Sequence, residues 1–231
     1  ATVNRRLAGL RAFFEWAVGV GRAASNPATD VNGVRQDRRV PKALDAQEVY
    51  RLQREAAAQR QLAEAQAGGE ATPATVYARR DEALLNLILY TGLRVGEVTA
   101  LKLGDVTLNE RSGRVIVRSG KGRKYREVPL HKEARKASRA YLEVREGEGD
   151  SFFLGQRGTL KERGMQMRLA ALGKDAGVTV TPHVLRHTFA TRLLREADAD
   201  LVTVAAVYCS PLQCAAGARE RLHDGHLYPA K

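Results

Sequence analysis

Apolar residues near the amino terminus repeat with the period of an α-helix. The repeat consists of Val3, Leu7, Leu10, Phe14 and Ala17. This spacing predicts one apolar stripe on a helix over residues 3–20. A single helix cannot bury such a stripe by itself, so we expect it to be the last helix of another domain. Docking of the helix on the main domain is the alternative.

The main part of the chain alternates between helical patterns and two short β-like runs. Asp45 and Glu48 have the spacing of a capping box and predict a helix over 46–57. Small, polar residues over 64–75 predict a loop. The other predicted helices cover 76–90, 94–101, 132–145, 160–176, 183–197 and 200–208. The β-like runs cover 115–118 and 126–130. The sequence therefore predicts a mainly α protein with a small antiparallel β-sheet (α+β).

A polar segment without periodicity separates the two parts. Residues 30–43 are basic and have the composition of a linker. We therefore expect a terminal helix of an amino-terminal domain over 1–29, a linker over 30–43, and the main domain over 44–231.

Charge narrows the class of partner. The chain has 231 residues, and its 38 lysines and arginines exceed 26 acidic residues by 12. This balance favours a polyanion, most commonly nucleic acid. An anionic membrane is the other candidate, but the sequence has no apolar run long enough for a span or anchor. Two cysteines are too few for a disulfide framework, so we expect a cytoplasmic protein.

A basic segment punctuated by glycines lies between the two β-like runs. Gly120 and Gly122 let the backbone approach a ligand closely, and Lys121 stands between them. The surrounding cations would suit a phosphate: Arg118, Arg123, Lys124 and Arg126. A solvated basic turn explains this segment equally well when it is taken alone.

The predicted helix over 183–197 begins with two polar residues on one patch. His183 and Arg186 are three positions apart and reach the same surface. Leu185, Phe189 and Leu193 are expected to turn to the core. His187 lies four positions after His183, as in a metal pair, but no glutamate follows His183 as in the H-E-x-x-H pattern. We therefore expect a packed histidine at 187 and no metal site.

A third polar feature follows the apolar helix over 76–90. Gly92 permits a tight turn, and Arg94 opens the next helix. Glu97 lies one turn further and could hold the Arg94 guanidinium in place. In isolation, an ordinary surface arginine explains Arg94 as well.

Together these features would form a metal-free site for phosphoryl transfer. Arg94 and Arg186 would clamp phosphate oxygens with bidentate geometry, which lysine cannot reproduce. They would also stabilise the charge that develops in the transition state, as a metal does elsewhere. Lys121 could protonate a leaving oxygen, and His183 could exchange protons.

Three stretches resemble the tyrosine recombinases of the phage integrase family, and their motifs are similar to those of the Xer-like members. They cover 91–106, 119–130 and 181–207. The first 29 residues resemble the last helix of the family's core-binding domain, the rest of which lies outside this chain. The resemblance implies a catalytic domain that cleaves and rejoins double-stranded DNA at specific sites, without a cofactor and within a tetramer on DNA.

The resemblance also implies individual roles. Arg94 and Arg186 would be the phosphate-clamping arginines, Lys121 the general acid, and His183 the histidine of the H-x-x-R box. Contacts to the DNA backbone are expected from Arg35, Arg38, Arg39, Arg118, Arg123 and Lys124.

The family pattern breaks at about residue 208. The family continues with Leu-Gly-His and then a nucleophilic tyrosine, but the register from Arg186 puts Cys209 and Ala218 at those positions. A shift of one residue gives Ser210 and Arg219 instead. Tyr228 comes too late in the register, and packing or a tail position explains it better than a role as nucleophile.

Three functional hypotheses therefore stand. The first is an active tyrosine recombinase. The second is a degenerate relative that binds DNA without cleaving it, since an alanine at 218 cannot attack phosphorus. The third is a type IB topoisomerase-like enzyme. The residues of the hairpin and of the H-x-x-R box fit this class less well than they fit the recombinases.

Overall fold

The computed structural model describes residues 2–34, 43–118 and 125–196. The helices are α1 Thr2–Gly19, α2 Ala46–Ala67, α3 Pro73–Thr91, α4 Val95–Thr99, α5 Lys132–Val144, α6 Glu162–Asp175 and α7 Pro182–Glu196. The strands are β1 Val106–Leu108, β2 Gly113–Arg118, β3 Tyr125–Pro129, β4 Leu154–Gly155 and β5 Gly158–Thr159. The predicted mainly α class with a small antiparallel sheet is confirmed. Within these ranges, no helix has the length and apolar character that a membrane span needs.

The chain divides into two compact units, Ala1–Val40 and Pro41–Lys231. In the first unit, the segment after α1 runs back along the helix. The Arg11 guanidinium donates to the carbonyl oxygens of Ala28 at 3.0 Å and Val31 at 2.7 Å. The Asn4 amide exchanges two hydrogen bonds of 2.8 Å with the backbone of Val34. Five large apolar side chains of α1 are exposed: Val3, Leu10, Phe13, Trp16 and Val18.

Helix α3 is the centre of the second unit. Its residues from Ala83 to Thr91 are all buried, and it packs against α2, α5, α6 and α7. A helix that is buried on all sides carries apolar residues around its whole circumference. This explains why the run of leucines and isoleucine over 83–90 lacks a polar face.

Helix α2 is longer than its sequence pattern predicts. The capping box of Asp45 and Glu48 is confirmed, but the helix continues to Ala67 and ends at Gly68 in the left-handed conformation. The loop predicted over 64–75 is therefore shorter than expected: it covers only residues 68–72, because α3 begins at Pro73. The helix continues because alanine, glutamine and glutamate are strong helix formers. Glu64 also forms ion pairs of 2.7 Å with Arg60 and Arg79, which stabilise this end of the helix.

The three-stranded sheet is antiparallel in the order β1-β2-β3. The predicted pair β2 and β3 is confirmed, with Val115 opposite Val128 and Val117 opposite Arg126. Strand β1 was not predicted. Because β2 lies in the middle, β3 is an edge strand, and it leads out of segment 119–124.

Candidate functional site

The turn between α3 and α4 is fixed by a glycine. Gly92 ends α3 in the left-handed conformation, with φ of 61°. A Cβ atom at this position would overlap with Cδ1 of Phe189 on α7. Only glycine satisfies both the conformation and this contact. The turn that delivers Arg94 to the start of α4 is therefore packed directly against α7.

Arg94 and Glu97 form the predicted interaction. The backbone N–H of Arg94 donates to Oε2 of Glu97 at 2.8 Å, and Nη1 donates to Oε1 at 3.2 Å. The Arg94 side chain is 54% exposed. Its guanidinium is thus oriented on one side and accessible to a ligand on the other.

Arg186 of helix α7 is hydrogen-bonded to the same turn. Its Nη1 donates to the carbonyl oxygen of Gly92, two residues before Arg94. The residue is only 7% exposed. Thr181 directly precedes helix α7, and its hydroxyl accepts a hydrogen bond from the backbone N–H of Val184 at 3.2 Å. The structure therefore brings the two predicted clamp arginines to one turn of the chain.

The other polar residues of α7 differ in exposure. His183 lies exposed in the first turn, one turn before Arg186. His187 is partly buried, and within the described part of the chain no group of side chains is placed to hold a metal ion. Leu185, Phe189 and Leu193 are buried in the core as predicted.

Arg126 differs from its prediction. We expected it to join the basic field around Lys121, but it is 9% exposed and its Nη2 donates to Oε2 of Glu97 at 2.8 Å. The alternation of the strand explains the error. Arg126 is in phase with Val128 and Leu130, which face the core, while Glu127 faces outward. This period of two was the sequence signal that could have identified Arg126.

Glu97 contacts the backbone of Arg94, the guanidinium of Arg94 and the guanidinium of Arg126. Burial of its carboxyl group raises the pKa. The hydrogen bonds from Arg126 and the Arg94 backbone, together with the charges of both arginines, lower the pKa by a larger amount. The net pKa of Glu97 lies below its ordinary value. The carboxylate is therefore ionised at neutral pH and holds both guanidinium groups.

Arg118 ends β2 with a partly engaged side chain. Its Nε donates to Oδ1 of the buried Asp105 at 2.6 Å, and the side chain is otherwise 69% exposed. The remaining guanidinium N–H groups have room for a ligand.

The other predicted site residues lie outside the described residues. They are Arg35, Arg38, Arg39, Lys121, Arg123, Lys124, Cys209, Ala218 and Tyr228.

The fold and the two arginines at one turn define a class of protein. A family model described as "Phage integrase family" matches residues 57–207, and the chain belongs to this family. A "Tyrosine recombinase XerC" of Alcanivorax borkumensis (strain ATCC 700651 / DSM 11573 / NCIMB 13689 / SK2) is 34% identical over 211 residues. The match covers 88% of this chain and 63% of that recombinase, so the chain spans less than two thirds of this relative's length.

Solved structures give the same fold. The XerA recombinase has a TM-score of 0.59 at 26% identity, over 96% of this chain and 74% of that one. The XerH site-specific recombinase bound to its difH substrate, in a pre-cleavage complex, has a TM-score of 0.65 at 23% identity, over 89% of this chain and 57% of that one. At that identity the likeness to XerH shows the fold alone.

Proposed function

We propose that this chain binds duplex DNA and acts in site-specific recombination by cleaving and rejoining strands as a tyrosine recombinase. One observation carries the proposal: the Arg186 guanidinium donates to the Gly92 carbonyl, two residues before Arg94. Membership of the phage integrase family supports it, as do relatives named tyrosine recombinases.

The proposed chemistry needs no metal ion. Arg94 and Arg186 would bind the non-bridging oxygens of one backbone phosphate and stabilise the charge that builds up during attack. His183, at the exposed start of α7, would exchange a proton with the reacting oxygens. Lys121 would protonate the leaving 5′-oxygen, as the family resemblance implies. A tyrosine would become covalently linked to the phosphate, which conserves the energy of the bond.

The protein's charge supports the proposed binding mode. An excess of 12 positive charges gives a field that attracts DNA and makes its affinity depend on salt. Arg118, with its exposed guanidinium edge, and the basic residues at 35, 38, 39, 123 and 124 would contact backbone phosphates. The resemblance to the family further implies self-association on DNA as a tetramer.

A second function is favoured by one feature of the sequence. The family register places Ala218 where the nucleophilic tyrosine belongs and Cys209 where the second histidine belongs. A methyl side chain cannot attack phosphorus. The second candidate is therefore a relative that occupies DNA sites without cutting them and competes with an active recombinase.

Covalent chemistry distinguishes the two functions. Duplexes that bind the protein are first enriched from a randomised pool. They are then nicked so that a cleaved end diffuses away, and the products are separated on a denaturing gel. A protein–DNA adduct supports the recombinase, and mass spectrometry of the adduct identifies the nucleophile. Its loss in Tyr228→Phe would show that Tyr228 attacks. Retained DNA binding with no adduct supports the non-cleaving relative, and absence of DNA binding contradicts both.

A further inference from the structure

Three charged side chains form a continuous chain from strand β3 to the exposed edge of the site. Arg126 Nη2 lies 2.8 Å from Glu97 Oε2, and Glu97 Oε1 lies 3.2 Å from Arg94 Nη1. Exposure rises along this chain, from 8% for the Arg126 side chain through 18% for Glu97 to 54% for Arg94. A buried cation thus acts on an exposed one through a shared carboxylate.

We propose that Arg126 is a positioning residue, which fixes Glu97 and thereby holds the Arg94 guanidinium in the orientation that receives a DNA phosphate. This inference rests on the proposed function of Arg94. It adds a residue that never touches the DNA itself, because its side chain is almost completely buried.

The orientation of Arg94 depends on Glu97. Among the described residues, Glu97 is the partner that the structure gives to the Arg94 guanidinium. An exposed arginine loses much side-chain freedom when it is held in one geometry. A carboxylate that is itself free to rotate would not hold it. Glu97 is held twice, by the Arg94 backbone N–H at 2.8 Å and by Arg126.

Stability of the fold alone does not explain an arginine at position 126. The position faces the core, in phase with Val128 and Leu130. An apolar residue there would avoid the desolvation of a cation, and such replacements are often neutral or stabilising when the whole pair is exchanged. Moreover, Nε of Arg126 is buried without a hydrogen-bond partner among the described atoms. This arginine therefore occupies an unfavourable position, and its contact with Glu97 accounts for its presence.

The same contact connects the site to the segment that carries Lys121. Arg126 is the second residue of the edge strand β3, directly after residues 119–124. Its pairing with Glu97 fastens that strand to α4, close to Arg94. Positioning by Arg126 would therefore align the exit of this segment with the arginine clamp.

A double-mutant cycle on DNA affinity tests the inference. Binding to a duplex enriched from a randomised pool is measured by fluorescence anisotropy for Arg126→Met, Arg94→Ala and the double variant. Arg126→Met should weaken binding by about fivefold to tenfold, but it should have no further effect when Arg94 is already alanine. Equal losses in both backgrounds would show that Arg126 acts independently of Arg94 and would overturn the proposal.

Arg114 provides the matched control. It lies on the neighbouring strand β2 and also pairs with a glutamate, Glu127, at 3.3 Å, but it is half exposed. Arg114→Met removes the same charge from the same sheet without touching Glu97. Its effect on affinity should be small and identical in the two backgrounds. If Arg114→Met lost as much DNA affinity as Arg126→Met, the loss would be a general effect of removing a positive charge, and the proposal would be contradicted.

A conservative variant separates positioning from folding. Arg126→Lys keeps a cation against Glu97 and should restore most of the affinity lost in Arg126→Met. If Arg126→Met does not fold, as judged by circular dichroism, the Arg94 cycle is repeated with Arg126→Gln. A lysine variant that folds but binds as weakly as the methionine or glutamine variant contradicts the proposal.

A second readout does not need DNA. The order parameter of the Arg94 Nε–H bond is measured by ¹⁵N NMR relaxation in the full chain. It should fall below about 0.6 in Arg126→Met and remain at its wild-type value in Arg114→Met. If the wild type fails to bind DNA, the proposed function fails while this measurement still tests the positioning. An Arg94 side chain that is equally ordered in all variants overturns the inference alone.

Discussion

At the scale of single residues, the site depends on positions whose neighbours leave little choice. Gly92 is required by its left-handed backbone and by the ring of Phe189. Glu97 is required by two guanidinium groups that share its carboxylate. The Arg94–Glu97 pair was predictable, because three-residue spacing at a helix start fixes it locally. Arg126 was not predicted to pair with Glu97, because the two residues are 29 positions apart and meet only through tertiary packing.

Gly92→Ala should destabilise the protein by about 3 kcal/mol, from backbone strain and from overlap with Phe189. Gly68 is the matched control, because it has the same φ of 61° but no neighbour within 4 Å of the place that an added methyl group would take. Gly68→Ala should cost only about 1 kcal/mol. Urea denaturation measures both. Equal costs would show that the contact with Phe189 is unimportant.

Glu97→Gln should destabilise the protein by about 2 kcal/mol at neutral pH, because it leaves the buried Arg126 without a charged partner. The pKa of Glu97 is lowered in the folded state, so its ionised form stabilises the fold above the ordinary glutamate pKa of about 4.3. This contribution is lost as the pH falls through the lower, folded-state pKa. The difference between wild type and variant in urea denaturation should therefore shrink in acid.

The control for this titration is Asp150→Asn. A hydrogen bond and charge from Lys102 lower the pKa of Asp150 too, but both groups are exposed. The variant should change stability little at any pH, because solvent screens the pair. A constant difference between wild type and Glu97→Gln across the acid range would contradict the assignment.

At the scale of elements, the structure shows which patterns determine a helix or a strand locally. Helix α3 was predicted over 76–90 and found over Pro73–Thr91, because its apolar run and Gly92 mark it clearly. The end of α2 was misplaced, since small polar residues over 64–67 also suit a helix that is fastened by ion pairs to α3. Strand β1 has three residues and owes its state to pairing with β2, which its own sequence does not encode.

Replacing Arg186, which joins α7 to the turn before α4, by lysine should weaken DNA binding. Arg186→Lys keeps the charge but cannot bind both the Gly92 carbonyl and a phosphate with bidentate geometry. DNA affinity should fall about tenfold. Arg195→Lys, an exposed change on the same helix, should leave affinity unchanged in the same anisotropy measurement. Wild-type affinity in Arg186→Lys would show that Arg186 serves only to hold the turn.

At the scale of the whole molecule, charge and family membership support the account. The apolar pattern predicted the mainly α class with a small sheet, because these elements depend on local periodicity. Convergence of Arg94 and Arg186 depends on the packing of α7 against α3 and on the turn at Gly92, which the sequence suggests only through resemblance. The abrupt change after residue 207 is visible in the sequence as the loss of the family's pattern.

The basic segment over residues 30–43 should contribute to DNA binding. Replacing Arg35, Arg38 and Arg39 by alanine should reduce the slope of log affinity against log salt by up to about 3. Anisotropy titrations over a range of salt concentrations measure this slope. An unchanged slope would place these residues away from the DNA.

The central claim is that Arg94 and Arg186 bind the same phosphate of the DNA backbone. The most direct measurement is a methylphosphonate scan, in which single phosphates of an enriched duplex are made neutral one at a time. We predict one phosphate whose neutralisation weakens binding by the wild-type protein. Neutralising that same phosphate should have no effect on binding by Arg94→Ala, and none on binding by Arg186→Ala. Loss of the effect at different phosphates in the two variants, or at none, would contradict the claim.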